Sequence, residues 1–167
     1  VSDPEESGTT FLENARIKAR AAHELACAAV LADDSGLIVD ALDGAPGVYS
    51  SRYSGVDGDD SANNAKLLRE LSAVPLAKRT ARFASVLVFI DEDGLETVAE
   101  GFVEGHIGLV ERGEHGFGYD PLFFPDAITE RLQWRSYPEP KKCDIPSWKC
   151  FARIKKEATP KRLVLVY

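Results

Sequence analysis

The chain has 167 residues, room for one domain with a sizeable core, and is 44% hydrophobic and 28% charged, an ordinary globular balance. Its formal net charge of -7 argues against nucleic acid as a partner, because an acidic chain binds the phosphate backbone poorly. No apolar run approaches the ~20 residues of a membrane span, so no membrane partner is expected. The three cysteines (Cys27, Cys143, Cys150) lack zinc-ligand spacing and are odd in number, which fits a reducing, cytoplasmic compartment.

The chain contains no methionine and opens with the loop-like Val1-Ser2-Asp3-Pro4-Glu5-Glu6-Ser7-Gly8, which reads as the interior of a gene product. Thr10 followed by Glu13 has the spacing of a capping box. Leu12, Ala15, Ala19 and Ala22 then recur at helical spacing, predicting a helix from about Thr10 to Leu25. Cys27 follows in an Ala-rich stretch and is expected to be a small core residue. The run Ala28–Leu31 predicts a short buried strand and Leu37–Val39 a second, with Asp33-Asp34-Ser35-Gly36 as the turn between them. Gly44 to Gly58, rich in Gly, Ser, Tyr and Pro, predicts an ordered loop. Asp60 or Ser61 can cap a second helix through about Leu71, with Leu67, Leu68 and Leu71 inward. Phe83–Ile90 is the strongest strand, and the turn Asp91–Gly94 returns the chain as Glu96–Val103. After Pro125, Trp and Pro interrupt any period and Lys and Arg cluster, as on a solvated surface. His23, His106 and His115 are scattered and make no hydrolytic triad with a Ser or Cys.

Two constellations carry chemistry. A buried strand ending at Asp33-Asp34 would present acid groups at the carboxyl edge of an α/β sheet, where ligands bind. On an extended segment the two point to opposite faces, so one of them serves a given site; a turn that merely ends a strand explains them equally well. The second is Gly116-Phe117-Gly118-Tyr119-Asp120-Pro121. Glycines beside an aromatic let a flat ring approach the backbone, Phe117 can stack on a base for about 1–3 kcal/mol, and Asp120 can accept from base-edge donors. Taken alone, a structural turn with a core Phe is the better explanation.

Together and in this order, the motifs resemble the inosine triphosphate pyrophosphatase family from about Glu5 to Pro125. They are Phe11-Leu12-Glu13-Asn14-Ala15, Ala32-Asp33-Asp34-Ser35-Gly36-Leu37, Gly44-Ala45-Pro46-Gly47-Val48-Tyr49-Ser50, Asn63 with Lys66-Leu67-Leu68, Ala81-Arg82-Phe83, and Gly116 to Pro121. The resemblance implies an elongated, two-lobed α/β fold with a long mixed β-sheet flanked by helices and a central nucleotide cleft, usually as a homodimer. It implies Mg²⁺-dependent hydrolysis of XTP, ITP and dITP to monophosphate and pyrophosphate, which cleanses the nucleotide pool. Cleaving a triphosphate needs charge neutralisation, an oriented water and an in-line path, and Mg²⁺ takes one or two carboxylates with phosphate and water completing its shell. By the same resemblance, Asp34 is the catalytic carboxylate, a metal ligand and acceptor of the water's proton. Glu6 is the second metal carboxylate, with Glu5 as a neighbouring alternative. Ser35 contacts substrate, and Phe117, Gly118, Tyr119 and Asp120 form the purine strip. Glu13 also matches a family position, though capping accounts for it; Arg52 and Lys66 fit a place near the cleft or a surface role.

The sequence departs from the family twice. The Thr/Ser-Gly-Asn-x-x-Lys phosphate loop with which the family opens is not in it, and the loss of the strand before that loop is expected to weaken the fold. Lys141 to Cys150 stands where the family has Lys-Asn-x-Ile-Ser-His-Arg-Gly-x-Ala, without the His-Arg; Lys142 overlies the family's substrate-binding Lys by position alone. One nucleotide forward, the same codons can encode the family motif, with its Gly forced by the Trp148 codon. A frameshift between about Pro125 and Lys141 is therefore expected, with a divergent tail as the rival. The expected organisation is one incomplete domain over residues 1–167, family-like over 1–125 and aberrant over 126–167, and a candidate for inactivity. The alternatives are a Maf-like nucleotide pyrophosphatase, against which the Gly116–Pro121 strip argues, and a non-catalytic nucleotide-binding remnant.

Overall fold

The computed structural model describes residues 4, 6–113, 117–126, 135–137 and 163–166. Helix α1 (Phe11–Ala26) opens on the expected capping box: Thr10 Oγ1 accepts from Glu13 N–H at 3.2 Å, and Glu13 Oε2 accepts from Thr10 N–H at 3.2 Å. Helix α2 (Asp60–Glu70) is capped by Asp59, which accepts from Ala62 N–H at 2.9 Å, so Asp60 is its first helical residue and not its cap.

The strands are β1 (Ala29–Val39), β2 (Thr80–Ile90), β3 (Glu96–Ile107), β4 (Phe123–Pro125), β5 (Arg135–Tyr137) and β6 (Leu163–Val166). They form one sheet in the order β4-β3-β2-β1-β6, with β5 paired to β3. β6 runs parallel to β1, with Ala29 opposite Leu163. β4 and β5 run antiparallel to β3, with Gly105 opposite Pro125 and Val98 opposite Tyr137. The sheet is mixed and flanked by helices, the α/β class expected. Two of its strands, β5 and β6, come from residues beyond Pro125.

The contacts divide the chain into two compact units. The first draws on Val1–Asp34, Ser85–Gly101 and Gln133–Tyr167. Its core joins Ala15 and Ala19 of α1 to Val30 and Ala32 of β1, Val86, Val88 and Ile90 of β2, and Val98 of β3. The small side chains on the inward face of α1 let the helix lie close to these strands. The second unit draws on Ser35–Ala84 and Phe102–Leu132. Leu37, Val39, Leu67, Leu71, Ile107 and Leu122 are fully buried there, each large side chain contributing about 1.5–3 kcal/mol relative to exposure. Arg79 is buried in this unit, and its guanidinium donates to the carbonyls of Leu71 (2.7 Å), Gly108 (2.9 Å) and Val74 (3.0 Å). A buried cation is tolerable when its donors are met in this way.

Two expectations are corrected. Residues 29–39 form one continuous strand; there is no turn at Asp33–Gly36, and the carboxylates stand in mid-strand instead of at a strand's end. The segment stays extended within the sheet, with β2 as one neighbour of the strand and β6 beside it over Ala29–Ala32, against the turn propensity of Asp, Ser and Gly, and Gly36 is not at positive φ. Cys27 is exposed instead of core, because it is the left-handed residue (φ 48) that closes α1, its N–H donating to His23 O at 2.9 Å.

Candidate functional site

Val30, Ala32 and Asp34 alternate along β1 and share one face. The first two pack against α1, and Asp34 continues the face as a buried carboxylate, 7% exposed. On α1, Asn14 and Lys18 lie one turn apart on the same side. Lys18 Nζ donates to Asp34 Oδ1 at 3.0 Å and to Asp33 O at 3.1 Å, and pairs with Glu6 Oε1 at 2.8 Å. Asn14, fully buried, donates from Nδ2 to Asp34 Oδ2 at 3.4 Å, while its Oδ1 accepts from Gly8 N–H at 2.8 Å. The approach at Gly8 admits no side chain, since a Cβ there would lie 2.5 Å from Asn14 Oδ1 and 2.7 Å from Glu13 Cβ. Asn14 thus ties the loop that carries Glu6 to the strand that carries Asp34.

Burial pushes the Asp34 carboxyl above its ordinary value; the Lys18 ammonium opposes this, and the Glu6 charge adds to it. For Lys18 burial works downward, but hydrogen bonds and charge from Glu6 and Asp34 outweigh it and leave its pKa raised. The result is a carboxylate of increased proton affinity beside a fixed cation. Two carboxylates meeting one cation make an all-oxygen donor set of the kind Mg²⁺ takes.

The second unit holds the aromatic strip. The Phe117 side chain is 83% exposed, while Tyr119 is buried with its hydroxyl donating to Ser50 O at 2.9 Å. Burial raises the Tyr119 pKa, and the neighbouring Tyr53 and Asp60 charges raise it further. Gly118, at φ +57, has both peptide groups held by α2: its N–H donates to Asp60 Oδ2 at 2.7 Å and its C=O accepts from Asn64 Nδ2 at 3.0 Å. Asp120 is exposed, and its Oδ2 accepts from Phe117 N–H at 3.3 Å.

Of the residues singled out from sequence, Glu6 and Asp34 are brought together on Lys18. Ser35, next in the strand, is exposed. Phe117 and Asp120 are open to ligand, whereas the Tyr119 side chain is committed to the core. Lys66 donates to Tyr53 O at 2.8 Å and sits 4.1 Å from the centre of that ring, a local packing role. Arg52 lies over the Tyr49 ring. Lys142, Gly116, Glu5 and the altered Lys141–Cys150 stretch fall outside the described residues. Sequence reasoning missed Lys18 and Asn14. The signal for Lys18 was present, because it falls on the Ala15–Ala19–Ala22 face, where a cation needs a buried carboxylate partner. Asp60 and Asn64 had no such signal. Among the described residues no helix is long and apolar enough to cross a membrane.

The model of the Ham1 family matches residues 1–143, past Pro125, where the family motifs in the sequence end. A dITP/XTP pyrophosphatase of Mannheimia succiniciproducens is 51% identical over 128 residues, covering 74% of this chain and 64% of that protein. One of Oceanobacillus iheyensis is 52% identical over 126 residues, covering 75% and 64%. The crystal structure of a nucleoside-triphosphatase, dITP/XTP pyrophosphatase, from Mycobacterium abscessus superposes with a TM-score of 0.69 at 45% identity, covering 79% of this chain and 65% of that one. The chain thus spans a little under two thirds of the length of the curated relatives it matches. With a family match over most of its length and relatives at half identity, the chain belongs to the Ham1 family, as the resemblance to the inosine triphosphate pyrophosphatases implied.

Proposed function

We propose that the chain carries the catalytic part of a nucleoside-triphosphate pyrophosphatase, which hydrolyses XTP, ITP or dITP to the monophosphate and pyrophosphate. The observation that carries this reading is the convergence of Glu6 and Asp34 on Lys18, in a chain half identical to proteins named dITP/XTP pyrophosphatases. Asp34 and Glu6 would hold a Mg²⁺ ion, which when bound would neutralise phosphate charge and acidify water. Asp34, with its proton affinity raised by burial, accepts the proton of the attacking water. Lys18 offsets phosphate charge, and Asn14 holds the orientation of the Asp34 carboxylate. The Phe117 ring stacks on the purine, with Asp120 accepting from its edge and Ser35 contacting the substrate. The resemblance further supports a homodimer, a contribution from Lys142, and a cytoplasmic role in cleansing the nucleotide pool.

The test is Asp34→Asn, in the chain carried at the length of its relatives. With dITP and Mg²⁺, pyrophosphate release should fall by at least about a thousandfold, the scale expected when a general base is lost together with a metal ligand. Nucleotide binding by calorimetry should largely survive. Turnover within a few-fold of the parent would refute the assignment.

A further inference from the structure

The Gly118 turn is held more firmly than a surface loop requires. Asp60 and Asn64 are four apart on α2 and so lie on one side of the helix, one turn apart. Between them they take both polar groups of one residue, the N–H of Gly118 at 2.7 Å and its C=O at 3.0 Å. On one side of Gly118, Tyr119 is anchored in the core through Ser50 O. On the other, Phe117 is 83% exposed, its N–H donating to Asp120 Oδ2 at 3.3 Å. Asn64 makes the arrangement costly. It is 4% exposed, and its Oδ1 has no hydrogen-bond partner among the described residues. A half-satisfied buried amide is a burden on stability, because its desolvated oxygen gets no bond in return. What the amide does in that position is grip Gly118.

We propose that Asp60 and Asn64 are positioning residues for purine recognition: by clamping the Gly118 backbone they fix the Phe117 ring as a preorganised stacking platform. The proposal rests on the pyrophosphatase reading and deepens it. Neither side chain touches the base. They act through Phe117, by sparing bound nucleotide the ordering of the turn.

The experiment compares Asp60→Ala, Asp60→Asn, Asn64→Leu and Phe117→Ala with the parent, using dITP and Mg²⁺. Steady-state kinetics, calorimetric dITP binding and melting midpoints are measured for each. If the clamp positions the ring, Asp60→Ala and Asn64→Leu raise KM and the dissociation constant by about tenfold, within the worth of one ring stacked on a base, with kcat held within twofold. Asp60→Asn, which keeps an acceptor for the Gly118 N–H, restores most of the loss. Combining Asp60→Ala with Phe117→Ala adds little to Phe117→Ala alone, because both remove the same platform. Unchanged KM and binding in Asp60→Ala, or a fall in kcat that tracks the melting midpoint, would overturn the clamp while leaving the pyrophosphatase reading standing. A parent that neither binds nor hydrolyses dITP would overturn both.

Discussion

At Asp34 the contacts run between side chains: one ammonium holds two carboxylates, and a buried amide fixes the far oxygen of one of them. At Gly118 they run from side chains to backbone, and the functional ring is left outside. The first arrangement tunes a charge. In a low dielectric each neighbour shifts the proton affinity of the next, so the cluster is sensitive to any change of net charge. The second sets a shape: its two side-chain-to-backbone bonds fix the peptide groups of one residue and carry consequences for orientation more than for protonation. A site of the first kind suits chemistry and one of the second kind suits recognition.

The sharpest way to break this contrast is Lys18→Met, which leaves Asp34 and Glu6 facing each other without a cation. It should cost about 3 kcal/mol of stability, the scale for stripping one partner from a buried ion pair. Urea midpoints measure this. Adding Asp34→Asn should recover a large part of the loss, since the two residues are in contact and their effects do not add. Full additivity would mean that the cluster is not the coupled unit described here.

Tyr119→Phe probes the second region without touching Phe117. It removes the donor to Ser50 O and should cost about 1 kcal/mol, read from the same midpoints. A loss as large as that of Lys18→Met would erase the distinction between the two regions.

The smallest effect concerns a carboxylate in the first unit that contrasts with Asp34. Burial pushes the Glu96 pKa up, but Arg16 at 2.6 Å and Arg20 at 3.0 Å outweigh it and hold the carboxyl below its ordinary value. A lowered folded value gives stability that is complete above the unfolded carboxyl's pKa, 4.5, and is lost as pH falls through the folded value. Asp34, less exposed and facing a second carboxylate, is shifted the opposite way. Both arginines are well exposed, so the Glu96 contribution is below about 1 kcal/mol. Arg16→Ala should flatten the acid limb of the stability curve below about pH 4.5 by that amount and leave pH 7 activity unchanged; a limb that stays as steep would assign the acid sensitivity elsewhere.

The local signals in the sequence were sufficient wherever neighbours along the chain decide the outcome. The Thr10–Glu13 box starts α1 because both partners lie within one turn, and Leu67 and Leu71 face inward because their helical spacing leaves no other side apolar. The ordered motifs were likewise enough to identify the family. Sequence reasoning failed at Asp33–Gly36, where turn-forming residues lie in one continuous strand whose flanking Val30, Ala32, Leu37 and Val39 are held in the two cores. Asp33 and Asp34 were correctly read as pointing to different faces, yet the sequence could not say that Asp34 is the one met by Lys18, sixteen residues away. It was equally silent on Asp60 and Asn64, whose partner lies more than fifty residues on. Residue types and spacings determined the helices, the alternation of the strands and the chemistry on offer. The tertiary structure decided which carboxylate is buried, which cation answers it and which backbone is held, because burial and partnership depend on segments the chain brings together only on folding.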